Sequence, residues 1–364
     1  MKVDTISLNS VRLNTIALNH IGEIRSGGGG SKPSPIPQWI REHVVFYYDV
    51  KKQGATNETL KESAYLQDLS GKGRRMKLNN FLFAEMSGVG GYNDNFSNWK
   101  TDSNNGVVKI ESDSSIVMQS VKIEYRGILY QDSSKNATLK CNITGITEEL
   151  KGKLIFRYTD AEGSKNITLE NGYFEFNSSE YEGLSGWYGF TSKQPIDNCN
   201  ITITQIPEYP GALVTDGVDD YGLVENLSSG VKMLFMTVNP MMLDAAIYDQ
   251  RYTSGWHLFA VITESNKVAY NAYNTKGKTY INGVLNESRT SNELQNEKQI
   301  ITIVNSEVNE TNSLPPNFFR IRGGGLRIKC AFYNSISFDS IPTEADGFTE
   351  QELIDYVLTN IIGQ

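Results

Sequence analysis

The chain has 364 residues, enough for two average domains and a tail, with 21% charged residues and a formal net charge of -8. No basic stripe appears, which argues against nucleic acid as the main partner, and Arg74-Arg75 reads as a solvated turn. No apolar run approaches the roughly 18 residues a membrane span needs, and polar residues interrupt every apolar pair near Met1, so neither membrane insertion nor a signal peptide is expected.

The first segment is repetitive. Ile6-Ser-Leu8-Asn9-Ser, Val11-Arg-Leu13-Asn14-Thr and Ile16-Ala-Leu18-Asn19-His share the template (I/V)-x-L-N-x, and Ile21 begins another copy. A flat strand alternates faces every residue, so a five-residue period would send successive copies to opposite faces. The chain must turn once per copy, and Asn with the following Ser or Thr suits that because their side chains bond the local backbone. The spacing is similar to that of pentapeptide-repeat β-helices. So short a run cannot bury a core alone. Residues 1–25 are therefore expected to form an N-terminal short-repeat β arm, an anchor or oligomerisation element. Ile6, Leu8, Val11, Leu13, Ile16, Leu18 and Ile21 would make its contacts, with a trimer as one form of self-association. Residues 26–38, with Gly27–Gly30 followed by Pro33, Pro35 and Pro37, read as a Gly/Pro linker.

From Trp39 onward the chain reads as all-β. Val44–Tyr48 is a strand, Asn57–Leu66 a brief helix, and Gly88–Gly91 loosens the chain. Residues 98–208 hold alternating segments of their own, beginning at Val107, Ser120, Ala137, Lys153, Ile167, Tyr173, Trp187 and Asn200 and separated by polar turns. They are expected to form a second β-sandwich inserted into a loop of a first, made of 39–97 and 209–364; such an insertion needs its ends close together. Residues 211–225 read as a hairpin: apolar Ala212, Leu213 and Val214, an Asp216-Gly217 turn, then Tyr221, Leu223 and Glu225 at a period of two.

Chemistry is sparse along this chain. Asp216, Asp219 and Asp220 form the densest acidic cluster and could offer oxygens to calcium, although the EF-hand pattern is missing and turn chemistry accounts for Asp216-Gly217. No other cofactor is expected. Glycoside hydrolysis needs two carboxylates facing each other across a cleft, but no motif supplies them. His20, His43 and His257 lie in unrelated contexts, and H-E-x-x-H, G-x-S-x-G and a P-loop are all missing. No enzyme is expected. Sugar binding would use exposed aromatic faces flanked by Asn or Asp. Trp187 and Tyr188 are the first candidates, with Trp99, Tyr92 and Asn93 next, and core packing is the competing role for such rings. Cys141, Cys199 and Cys330 show no C-x-x-C spacing and are odd in number, which favours assembly in a reducing cytoplasm. Sequons such as Asn57, Asn142, Asn200 and Asn309 follow from an Asn- and Ser-rich composition.

Asp216-Gly217-Val-Asp219-Asp220-Tyr221 resembles the F-D-G-x-D-D-Y hairpin of the concanavalin A-like lectin/glucanase sandwich, often called the laminin-G-like fold. In chain order, Asp68–Gly73, Gly255–Val261, Tyr280–Gly283, Leu326–Tyr333 and Phe348–Leu353 resemble further motifs of that family. The resemblance implies a jelly-roll sandwich, and the E-x-D-x-x-E strand of its glucanases does not occur here. Val50–Gly91 is similar to structural proteins of tailed bacteriophages of Bacteroidetes, including the crAss-like group. That resemblance implies a virion component, a head or tail fibre or appendage assembled in the host bacterial cytoplasm. Its partners would be capsid, portal or tail proteins and host cell-surface glycans. A glycan-cleaving depolymerase, a secreted carbohydrate-binding protein and an architectural decoration protein are the rival readings.

Overall fold

A computed structural model of the chain describes residues 35–363 apart from 228–229, 243–244, 253–254, 265–266, 272–276, 287–289, 293–295, 306–314 and 321–326. The repeat positions Ile6, Leu8, Val11, Leu13, Ile16, Leu18 and Ile21 lie outside the described residues, as do the linker glycines and the side chain of His257.

The protein is mostly β, 43% strand against 14% helix, built from antiparallel sheets. The described residues divide into two compact units, 35–83 with 87–90 and 209–363, and Ala84–Met86 with Gly91–Glu208. Pro35–His43 is a helix, whereas the sequence reading carries the linker to residue 38. Pro35 and Pro37 sit in its first turn, where no N–H is needed and a fixed φ suits the helix, while Trp39 and Ile40 are buried behind them.

The first unit packs two eight-stranded sheets. One runs Val284–Leu285, Lys278–Ile281, Gln299–Val304, Met233–Pro240, Cys330–Phe338, Leu213–Val214, Gly88–Val89, with Val44–Asp49 also paired to Cys330–Phe338. Met233–Pro240 is buried at every position, because both faces of its sheet are covered. Leu234, Met236 and Val238 enter a core with Phe46, Tyr48 and Phe318. Met233 and Phe235 enter another, with Trp39 and with Leu353, Ile354 and Val357 of the helix Glu350–Val357. Each fully buried Leu or Phe contributes roughly 1.5–3 kcal/mol. The C-terminal helix starts on a capping box in which the Thr349 side chain accepts from Glu352 N and Glu352 reaches back to Thr349 N.

The Asp216-Gly217 segment corrects the sequence reading. Its flanking strands do not pair with each other. Leu213–Val214 pairs with Cys330–Phe338 and Gly88–Val89 in one sheet, whereas Tyr221–Val224 pairs with Met76–Asn79 and Asn317–Phe318 in the other. The turn is thus a crossing between sheets, with Gly217 at φ +78 as its chemistry requires. Tyr280–Gly283 does form a hairpin: Lys278–Ile281 pairs with Val284–Leu285 across Asn282 and Gly283, both at positive φ.

The second unit is a sandwich of two five-stranded sheets. One orders Gly163–Thr168, Leu154–Asp160, Trp187–Ser192, Leu129–Asp132, Lys100–Thr101; the other orders Gly172–Asn177, Thr138–Thr144, Ile201–Gln205, Ser115–Val121, Gly106–Ser112. Between them Leu139, Cys141, Phe156, Phe174, Phe176 and Phe190 share one core. All three cysteines are free. The strand expected over Ser120–Tyr125 instead runs Ser115–Val121. Beyond it, Lys122 N and Ile123 N both turn to the single carbonyl of Asn105, and Tyr125 takes φ 55, so the alternation continues without a strand to pair with. Within this unit Glu208 N donates to Gly91 O (2.9 Å), which joins its two ends.

Candidate binding face

The acidic cluster at the sheet crossing comes first. Carboxylate oxygens of Asp216, Asp219 and Asp220 lie within 4.8 Å of one another. Asp216 Oδ1 accepts from Val218 N (2.7 Å) and Asp219 N (3.3 Å). Asp220, 1% exposed, accepts from Asp216 N through Oδ2 (2.9 Å) and from Ser87 Oγ through Oδ1 (3.0 Å). Ser87 Oγ in turn accepts from Leu82 N (2.9 Å). Burial pushes the Asp220 carboxyl up to about 7, reinforced by Asp216 and Asp219 and opposed by the two hydrogen bonds it accepts. Calcium takes six to eight oxygens. Here both oxygens of Asp220 and one of Asp216 already hold the crossing together, an arrangement that fits a braced turn better than a cation cage.

The sequence-selected aromatic rings are not brought together on a surface. Trp99 is 4% exposed; its Nε1 donates to Asp94 Oδ1 (2.9 Å) and its ring packs on Tyr188 and Phe190. Tyr188 is fully buried, its hydroxyl donating to Lys135 O (2.9 Å). Both rings are core residues and offer no face to a sugar, which corrects their selection. Trp187, the alternate position on the same strand, is half-buried and meets Tyr130 edge-on. Tyr92 is half-buried and Asn93 exposed, with Asn93 Nδ2 donating to Glu208 Oε1 (2.7 Å).

That last bond leads to a surface the sequence reading missed. On Gly172–Asn177, Phe174 and Phe176 turn inward, so Tyr173 and Glu175 must turn outward, and Tyr173 is 63% exposed. Tyr173 stands opposite Asn142, Asn142 opposite Thr204, and Thr204 opposite Ser115, a row of polar side chains across four strands. Thr204 Oγ1 and Ser115 Oγ lie 3.2 Å apart. One step along, Glu175 stands opposite Lys140, whose Nζ donates to Glu208 Oε1 (2.7 Å). The Tyr173 hydroxyl donates to Glu175 Oε2 (2.6 Å).

The hydrogen bond to the Glu175 carboxylate raises the Tyr173 hydroxyl above its ordinary value, and the one to Glu208 does the same for the Lys140 ammonium. Tyr173 therefore stays protonated and Lys140 charged at neutral pH. The face offers a fixed ring, short hydroxyl and amide groups, a Lys140–Glu208 ion pair and the Glu175 carboxylate held by the Tyr173 hydroxyl. Its signal in the sequence was the alternation Tyr173-Phe-Glu-Phe, which puts an aromatic ring on the wet side of a strand. Comparisons of the chain with protein-family models, curated proteins and solved structures found no match.

Proposed function

We propose that the chain is a non-enzymatic structural protein of a tailed-bacteriophage virion, a head or tail fibre or appendage. Residues 1–25 attach it to capsid, portal or tail proteins or to further copies of itself, and its β-sandwich units meet host cell-surface glycans. The particle assembles in the host bacterial cytoplasm.

The observation that carries this reading is how the second sandwich is built. Its two ends are joined at Gly91 and Glu208, and on the strands Thr138–Thr144 and Gly172–Asn177 it turns polar side chains outward beside the exposed Tyr173 ring. Such a module suits display and contact. The Asp216 cluster supports the same reading, since its oxygens brace a turn where a glycosidase would need two carboxylates across a cleft. Weak single sugar contacts add up when many copies are displayed together.

Immunogold labelling of purified particles from the source culture, with an antibody against residues 36–364, tests the proposal. Label at fixed points on capsids or tails is the expected result. Bare particles with label on cells or in soluble fractions would move the protein to the secreted lectin or depolymerase class. Deleting residues 1–25 should leave folded protein that no longer joins the particle; normal incorporation of the truncated chain would remove the anchor role.

A further inference from the structure

Resting on the glycan-contact reading, we propose that the outer sheet face carrying Tyr173, Asn142, Thr204, Lys140 and Glu175 binds an uncharged pyranose chain, with Tyr173 as the platform on which a sugar ring stacks. A pyranose has a flat C–H face and a rim of hydroxyls, and needs a flat apolar surface beside groups that both donate and accept. The Tyr173 ring provides the first at 63% exposure. Its hydroxyl is tied to Glu175 Oε2 (2.6 Å), so little orientation entropy is left to lose on binding.

The second requirement is met by the row Asn142, Thr204 and Ser115, one residue per strand at a spacing of about 4.8 Å. Because these side chains are short, the track beside the ring is flat, and each can donate and accept. A protein partner would call for an apolar centre to this face; the row is amide and hydroxyl throughout. Charge selects among glycans. Lys140 is already paired with Glu208, and Glu175 adds a second carboxylate, so the cluster is one unit negative and repels uronates, sulfates and nucleic acid. Neutral hydroxyls can use every group present.

The test uses the full chain displayed multivalently on beads, probed against an array of neutral hexose, N-acetylhexosamine and uronate-bearing oligosaccharides. The wild type should retain neutral oligosaccharides. Tyr173→Ala should weaken binding at least tenfold at unchanged Tm, because the ring contributes little to the core. Asn142→Arg, which raises a long cation in the middle of the track, should abolish binding, and Trp187→Ala should leave it intact. Neutral binding that survives both Tyr173→Ala and Asn142→Arg overturns this face as the site while the glycan reading stands. Preference for uronate-bearing probes overturns the charge argument. A wild-type chain that retains no oligosaccharide ends the glycan reading itself, and this inference with it.

Discussion

The two units use antiparallel sheets in different ways. In the first, Met233–Pro240 lies in a sheet covered on one side by a second sheet and on the other by helices, and every residue along it is buried. In the second, Thr138–Thr144 and Gly172–Asn177 bury alternate residues only, and the others stand in solvent. A sheet covered on both faces has nowhere to place a binding residue except at its loops, whereas a sheet with a wet face can change its outer side chains without disturbing the core. Substitutions along Met233–Pro240 therefore reach the core at every position, whereas on Thr138–Thr144 and Gly172–Asn177 alternate positions can change without touching it.

The largest effect that would sharpen this contrast is Phe235→Ala, which empties a fully buried site between sheet and helices. It should cost about 3–5 kcal/mol in a urea titration. A loss below about 1 kcal/mol would mean that the helix side of that sheet is loosely packed, and would break the comparison.

Next is the pH response of the sheet crossing. With Asp220 titrating at about 7 in the folded protein and near 3.9 unfolded, the folded state holds a proton that the unfolded state has released. Stability contributed by this group is full below about pH 4, declines as pH rises, and is lost above about pH 7. The total change is at most on the order of 4 kcal/mol. Asp220→Asn should flatten the slope of unfolding free energy between pH 4 and 7 relative to wild type. Identical slopes in the two proteins would show that the carboxyl is ionised throughout, held by Ser87 and Asp216 N.

Smaller still is the cap of the C-terminal helix. Thr349→Ala removes the acceptor for Glu352 N and should cost about 1 kcal/mol. An unchanged Tm would mean that Leu353, Ile354 and Val357 hold the helix unaided. Smallest is Tyr173→Ala, expected within about 0.5 kcal/mol of wild type in the same titration. A cost as large as that of Phe235→Ala would make Tyr173 a structural residue and remove the distinction between the two kinds of sheet.

Much of the local structure was legible because it rests on short-range chemistry. The all-β class follows from alternation along Thr138–Thr144, Leu154–Asp160 and Ile201–Gln205, and the Asn282-Gly283 hairpin follows from two residues that tolerate positive φ. The candidate face was missed: the alternation Tyr173-Phe-Glu-Phe separates the tyrosine from the two phenylalanines, but which side stands in solvent was set by the packing of one sheet on the other. The helix at Pro35–His43 was hidden because prolines mark both linkers and first helical turns.

The period of each segment and the places where the chain turns depend on neighbouring residues alone, so both can be read along the chain. Which strand pairs with which, and therefore which side of each strand is wet, depends on segments far apart in the chain. Asp216-Gly217 makes the same turn whether it closes a hairpin or crosses between sheets; Leu213 finds its partner at Phe332, and Tyr221 at Asn79, both far away along the chain. Trp99 and Tyr188 have the composition of a sugar platform, yet the closing of two sheets over them made them core, and the same packing left Tyr173 outside. Burial is settled by contacts between distant segments, and no local pattern carries them.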